Sequence, residues 1–395
     1  MFLRWVLKIA SPEYFPRALF IITFNPVYVP KKFLMRKAIF LLTIILMGSL
    51  SFAQRKTENI VIVTMDGLRW QEVFAGMDSA LANNLEFHEG DSQYIFDNYW
   101  HNDPDERRKK LLPFFWGTIQ NEGQLLGNRN LGSMVNTANP HWFSFPGYSE
   151  LFTGYADTAI NRNSYPANPH VNVFEFLNSQ KKLKGKVAAF GAWNAFDRIL
   201  NEERGGFPVI NAFDTVAGNE LTSNQRLINK MLLNSYRPWG PDECLDVFTH
   251  YAAFEYLKTK RPKVLYIAYG ETDEWAHSGK YRSYLDAAKQ TDQWINELWK
   301  HLQSDPQYRN KTTLLITTDH GRGDVVKREW TSHGKDFRGS GEIWIAGIGP
   351  DSPVRGEIGQ PMQVYQEQFA QTITKLMGYT FKANHQIANE ILYFF

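Results

Sequence analysis

From residue 58 onward, short continuous apolar runs alternate with longer amphipathic segments. The runs are "NIVIVTMDG" (59–67), "KVAAFGAW" (186–193), "VLYIAYG" (264–270), "TTLLITTDHG" (312–321) and "EIWIAGIG" (342–349). They are apolar at successive positions rather than at every second one, as in strands covered on both faces. Helical periodicity lies between them, near 105–122, 171–183, 222–235, 243–260, 281–304 and 361–377. This alternation predicts an α/β fold: a mainly parallel sheet with helices on both faces, forming one domain over 54–395. Segments 68–145 and 194–221 lack clean alternation and read as insertions roofing the site. Ligands of such sheets bind beyond the carboxyl ends of the strands, so the residues just after each run are where chemistry belongs.

The N-terminus carries a different pattern. "MRKAIFLLTIILMGSLSFAQ" (35–54) has a basic start, an apolar run and small residues Ser51 and Ala53, the layout of a signal peptide over 35–53. The run is short for a bilayer span. Residues 1–34 precede the methionine that opens this segment and read as a non-native upstream extension. No cysteine follows the apolar run, which argues against a lipoprotein anchor, so the mature chain is expected to be exported, periplasmic or secreted.

Composition narrows the classes further. A formal charge of +2 over 395 residues gives no footprint for a nucleic-acid polymer or a membrane surface. The single cysteine, Cys244, rules out an intramolecular disulfide, a Cys-rich zinc site and a CxxC redox motif. It reads as a packed residue of the 243–260 helix. The charge run "DERRKK" (105–110) reads as a solvated helix face, and the 12 Trp mainly as core.

Chemistry gathers at the strand ends. Asp66 ends the first run, Asp273 and His277 follow the third in "ETDEWAH", Asp319 and His320 end the fourth, and His333 follows in "WTSHG". Three carboxylates crowded on one sheet edge repel one another and raise each other's pKa. Divalent cations remove that cost, and mixed Asp/His ligation suits zinc or a similar metal. For a nucleophile, "WFSFPGYSELFTGYAD" (142–157) offers Ser144, just ahead of a Pro-containing helix start. A helix N-terminus there would favour both an alkoxide and a bound phosphate.

In order, this is a strand-ending Asp, a Ser followed by x-P, D-x-x-x-H, D-H-G and S-H-G. The set resembles the alkaline phosphatase superfamily, and within it the nucleotide pyrophosphatase/phosphodiesterases and related bacterial phosphatases, over roughly residues 58 to 380. The resemblance implies two divalent metal ions, usually Zn2+, with Mn2+ or Mg2+ as alternatives. Asp273, His277 and His333 would hold one. Asp66, Asp319, His320 and the Ser144 oxygen would hold the other. It further implies a phosphoric ester hydrolase, on small-molecule phosphate esters, working through a phosphoserine at Ser144. The branch's nucleophile precedes F-P-N, and here "SFPG" replaces the phosphate-holding Asn by Gly147. Asn194, Arg198, Arg162, Asn163 and Arg322 are the candidates to take over that work. The sulfatase pattern C/S-x-P-x-R is not met, because "SFPGY" lacks the arginine. A phosphoryl or phosphoalcohol transferase on the same site, or a non-catalytic metal-binding module, are the alternatives.

Overall fold

The computed structural model describes residues 56–218 and 220–395. The expected upstream extension (1–34) and signal peptide (35–53) lie outside them. Ten strands are β1 (Asn59–Met65), β2 (Gly123–Leu126), β3 (Ser133–Asn136), β4 (Val187–Gly191), β5 (Val209–Asn211), β6 (Val264–Tyr269), β7 (Thr312–Thr317), β8 (Ile345–Ile348), β9 (Gly356–Glu357) and β10 (Met362–Tyr365). The main sheet has the order β5-β4-β6-β1-β7-β8-β2-β9, and β10 pairs with β3 apart from it. The five strands from β5 to β7 run parallel. This is the expected α/β architecture.

Burial on both faces explains the unbroken apolar runs. Along β1, Val61, Val63 and Met65 face one core and Ile60 and Ile62 the other. The first core is closed by the helix Tyr281–Ser304, whose Tyr281, Tyr284, Leu285, Ala288, Ile295, Leu298 and Leu302 recur at helical spacing on its buried side. The second is closed by the helices Ser144–Thr153, Val173–Ser179 and Gln368–Leu376. No helix among the described residues is long and apolar enough to cross a membrane.

Several expectations need correction. The run at 342–349 is a strand only over Ile345–Ile348, and it lies antiparallel to β7. Segment 361–377 is not one helix; its first part is β10. Segment 105–122 divides into the helix Pro104–Leu111, a π-turn at Phe115–Ile119 and a single turn to Glu122. The region 68–145 also supplies β2, which extends the main sheet beyond β8. Cys244 is buried but precedes its helix, which starts at Asp246; its N–H donates to the Ala192 carbonyl at 3.0 Å.

Candidate active site

Sheet register brings the donors together. β1 lies between β6 and β7, with Met65 beside Tyr269 and Thr64 beside Thr317. The residues following these three strands therefore emerge at one edge. Asp66 follows β1, and Asp319 and His320 follow β7. After β6 the chain turns into the short helix Glu271–His277, which carries Asp273 and His277. His333 arrives on the loop after the 3-10 turn Lys327–Thr331.

Tight approach is built in. Gly67 has φ +58, and a Cβ there would come within 2.5 Å of Asp273 Oδ1. The Gly67 N–H donates to Asp319 Oδ1 (3.2 Å), and Tyr148 donates its hydroxyl to Asp66 Oδ2 (2.9 Å). His320 donates Nδ1–H to the Gly321 carbonyl at 2.8 Å. That fixes its tautomer and turns the Nε2 lone pair toward Asp66 Oδ1 (3.3 Å) and Asp319 Oδ2 (3.4 Å). Across the site, His277 Nε2 and His333 Nε2 face each other at 2.9 Å, and His277 Nε2 lies 3.0 Å from Asp273 Oδ2.

The donor atoms of Asp273, His277 and His333 converge, as do those of Asp66, Asp273 and His320, so Asp273 stands between two candidate metal positions. Buried Asp66 Oδ1 and Asp319 Oδ2 lack hydrogen-bond donors. Converging imidazole lone pairs and orphaned carboxylate oxygens are what divalent cations satisfy, so these residues fit the metals. Burial, reinforced by neighbouring carboxylates, pushes Asp66 up and Asp319 well up from the usual range. Burial opposes protonation of His320, but Asp319 and Asp66 raise it to about 9. Burial and the His320 charge push His333 down. Asp273 goes the other way: burial would raise it, yet Arg322 and the histidines hold it well below the carboxylate range. Bound cations would bias every carboxylate toward its ionised form and the imidazoles toward neutral.

Ser144 is the first residue of its helix, as the Pro-containing start suggested. The turn before it is braced from within the helix. Glu150 accepts the N–H groups of Ala138 and Asn139, and Asn139 Oδ1 accepts those of His141 and Trp142. Ser144 Oγ lies 3.4 Å from His320 Nε2. It lines a cavity of about 150 Å3 together with Asp66, Asp273, His277 and His333.

The expected substrate-binding residues fare differently. Gly147 packs the helix onto the sheet edge, where a Cβ would lie 2.5 Å from the Asp319 carbonyl oxygen, so backbone and not ligand occupies that space. Arg322 is 1% exposed; it reaches behind Asp273 and donates to that carboxylate and to the Trp330 and Thr331 carbonyls. It is a positioning residue. Arg198 holds the Asn163 and Tyr165 carbonyls, Arg162 lies over the Tyr165 ring, and Asn194 donates to Asp242 Oδ1. None of these five lines the cavity. Asn163 does; its Oδ1 accepts the Phe145 N–H (3.0 Å), which leaves the amide NH2 at the wall. Trp193, Glu243 and Glu274 also line it, and no local motif had marked them. They come from chain segments that meet only in the fold.

A model of the metalloenzyme superfamily matches residues 248–337, the stretch holding Asp273, His277, Asp319, His320 and His333. No curated protein matches the chain in sequence. Solved structures share the fold. Alkaline phosphatase PafA superposes with a TM-score of 0.54 at 9% identity, covering 86% of this chain and 99% of that one. A PafA variant gives 0.56 with the same identity and coverage. A putative sulfatase from Bacteroides thetaiotaomicron gives 0.54 at 13% identity, covering 85% of this chain and 73% of that one. The fold is alkaline phosphatase-like, and the matched family model is one of metal-dependent enzymes.

Proposed function

We propose that this alkaline phosphatase-like protein is an exported phosphoric ester hydrolase with two divalent metals, zinc first among them, acting through Ser144. The observation that carries the reading is the position of Ser144 Oγ, at a helix start, 3.4 Å from His320 Nε2 and open to the cavity that the Asp/His set lines. Asp273, His277 and His333 would hold one ion, and Asp66, Asp319 and His320 the other. When bound, such ions supply Lewis acidity that lowers the serine pKa and offsets charge on the phosphoryl oxygens.

The chain's own residues do the rest. Ser144 releases its hydroxyl proton to solvent as Oγ attacks phosphorus, the bond to the departing alcohol breaks, and the alcohol leaves with a proton from solvent. Asn163 donates its amide N–H to a phosphoryl oxygen, taking over the work for which position 147 has no side chain. Water then attacks the phosphoserine, releases phosphate or its monoester, and restores the hydroxyl. No Lys or Arg lines the cavity among the described residues. A monoester dianion demands cationic side chains more than a diester does, so diesters are the preferred class.

The zinc-loaded protein is expected to hydrolyse bis-p-nitrophenyl phosphate faster than p-nitrophenyl phosphate, and Ser144→Ala to abolish both. The opposite preference would overturn the diester assignment. If neither ester is turned over while metal is bound, the hydrolase reading falls.

A further inference from the structure

Besides the expected ligands, Ser144, Asn163 and Gly270, the cavity is lined by Trp193, Glu243 and Glu274. Trp193 follows β4 and is paired with Glu243 by an isolated antiparallel bridge. On either side, the Asn194 N–H donates to the Asp242 carbonyl (2.8 Å) and the Cys244 N–H to that of Ala192 (3.0 Å). The backbone therefore sets an indole and a carboxylate side by side. Glu243 is 7% exposed, and its Oε1 has no hydrogen-bond donor. That oxygen lies over the end of β6, where a Cβ on Gly270 would meet it at 1.8 Å. Glu274, next to Asp273, lies beside Glu243, and both line the cavity. Neither glutamate belongs to the groups whose donor atoms converge on a metal position.

A buried carboxylate oxygen without a donor is destabilising unless a ligand supplies one. Charge leads to the same place. Two dications would be offset by Asp66, Asp273, Asp319 and the seryl oxygen, and a phosphodiester adds one negative charge. With Arg322 on Asp273 making up the fifth positive charge, the Glu243–Glu274 pair remains as negative charge that no Lys or Arg lining the cavity balances among the described residues. A cation that donates N–H bonds to Glu243 and lies against the Trp193 ring would satisfy both observations. The small volume restricts it to a short group.

We infer that the substrate is a phosphate ester in which one esterified alcohol carries a protonated primary amine, seated against Glu243 and Glu274 beside Trp193. This rests on the hydrolase reading above and narrows its substrate class.

The test compares aminoethyl p-nitrophenyl phosphate with its neutral match, propyl p-nitrophenyl phosphate, and with the p-nitrophenyl ester of phosphocholine, on the zinc-loaded protein. The aminoethyl ester is expected to show a kcat/KM at least about tenfold above the propyl ester. Glu243→Gln is expected to shrink that ratio. A wild-type ratio near one, with both esters turned over, overturns the cation subsite and leaves the hydrolase reading intact. A choline ester that outruns the aminoethyl ester overturns the assignment of an N–H donor. Calorimetric binding of aminoethyl phosphate against propyl phosphate provides a readout without turnover. Tighter binding of the amine with no turnover of any ester would keep the subsite and sink the hydrolase. Equal binding would sink the subsite by itself.

Discussion

The two halves of the candidate metal centre are held in different ways. Asp66, Asp319 and His320 stand directly on the ends of the adjacent strands β1 and β7, and all three are buried. Tyr148, the Gly67 N–H and the Gly321 carbonyl each anchor one of them, leaving Asp66 Oδ1 and Asp319 Oδ2 free for metal. Asp273, His277 and His333 instead come from a two-turn helix and a loop, and the His277 side chain is 43% exposed. What ties that half together is Arg322, which grips Asp273 and, through two carbonyls, the turn that leads to His333. A sheet positions donors by register alone. Donors on loops need a dedicated side chain, and here the sequence spends a buried arginine on it.

The strongest way to probe both halves together is Ser144→Ala, since the serine oxygen faces the strand-end half while an ester bound as proposed would span both. A loss of at least about a thousandfold in kcat on a diester is expected, and activity surviving the change would mean another nucleophile.

Breaking the loop half alone comes next. Arg322→Met leaves the buried Asp273 carboxylate without its partner, which should destabilise the metal-free protein by about 3–5 kcal/mol. Added zinc should restore part of that, because a cation at Asp273 substitutes for the lost charge. Urea unfolding with and without metal checks it, and identical curves for variant and wild type would remove Arg322 from the argument.

The strand-end half is probed by Gly147→Ala. An alanine ordinarily strengthens a helix relative to glycine by roughly 1 kcal/mol. Here its Cβ would collide with the Asp319 carbonyl oxygen, which belongs to rigid backbone. Overpacking of about 1–3 kcal/mol should therefore win, and the melting temperature should fall; a rise would show that the helix has room to shift.

The smallest effect concerns a histidine that serves neither half. His250 is buried, stacks between Phe254 and Trp294, and is pushed down to about 3 by burial. It stays neutral in the fold while the unfolded chain takes up a proton below about 6.5, so its contribution is present above that pH and is lost as pH falls toward 3. Between pH 7 and 5.5 the loss is about 1 kcal/mol. His250→Gln should lose less stability than wild type over that interval, measured by denaturant unfolding at both pH values.

Much of this was readable in the chain. Asp66, Asp319 and His320 stood out because a polar, metal-competent residue follows directly on an unbroken apolar strand, and the spacing of Asp273 and His277 is local. The antiparallel sense of β8 was hidden, since "IAGI" is equally apolar in either direction. The four residues of β2 were too few to show a period, and their buried Gln124, bonded to Ser352, disguised them further. Arg322 sits in "DHGRGD", where nothing local says that its side chain turns back onto Asp273. Glu243 looked like the start of a helix; its pairing with Trp193 is a contact between distant segments, and no periodicity records those.

The place of β1 in the sheet has a consequence for how the protein comes into being. The first strand of the described chain is flanked on one side by residues 264–269 and on the other by 312–317. Both partners are synthesised long after it, and the loop closures needed to reach them are long. Such topology folds slowly: on a growing chain β1 cannot pair with β6 before Tyr269 is available, nor with β7 before Thr317. Until Tyr269 emerges, Ile60 to Met65 form an unpaired apolar strand that a chaperone would have to cover.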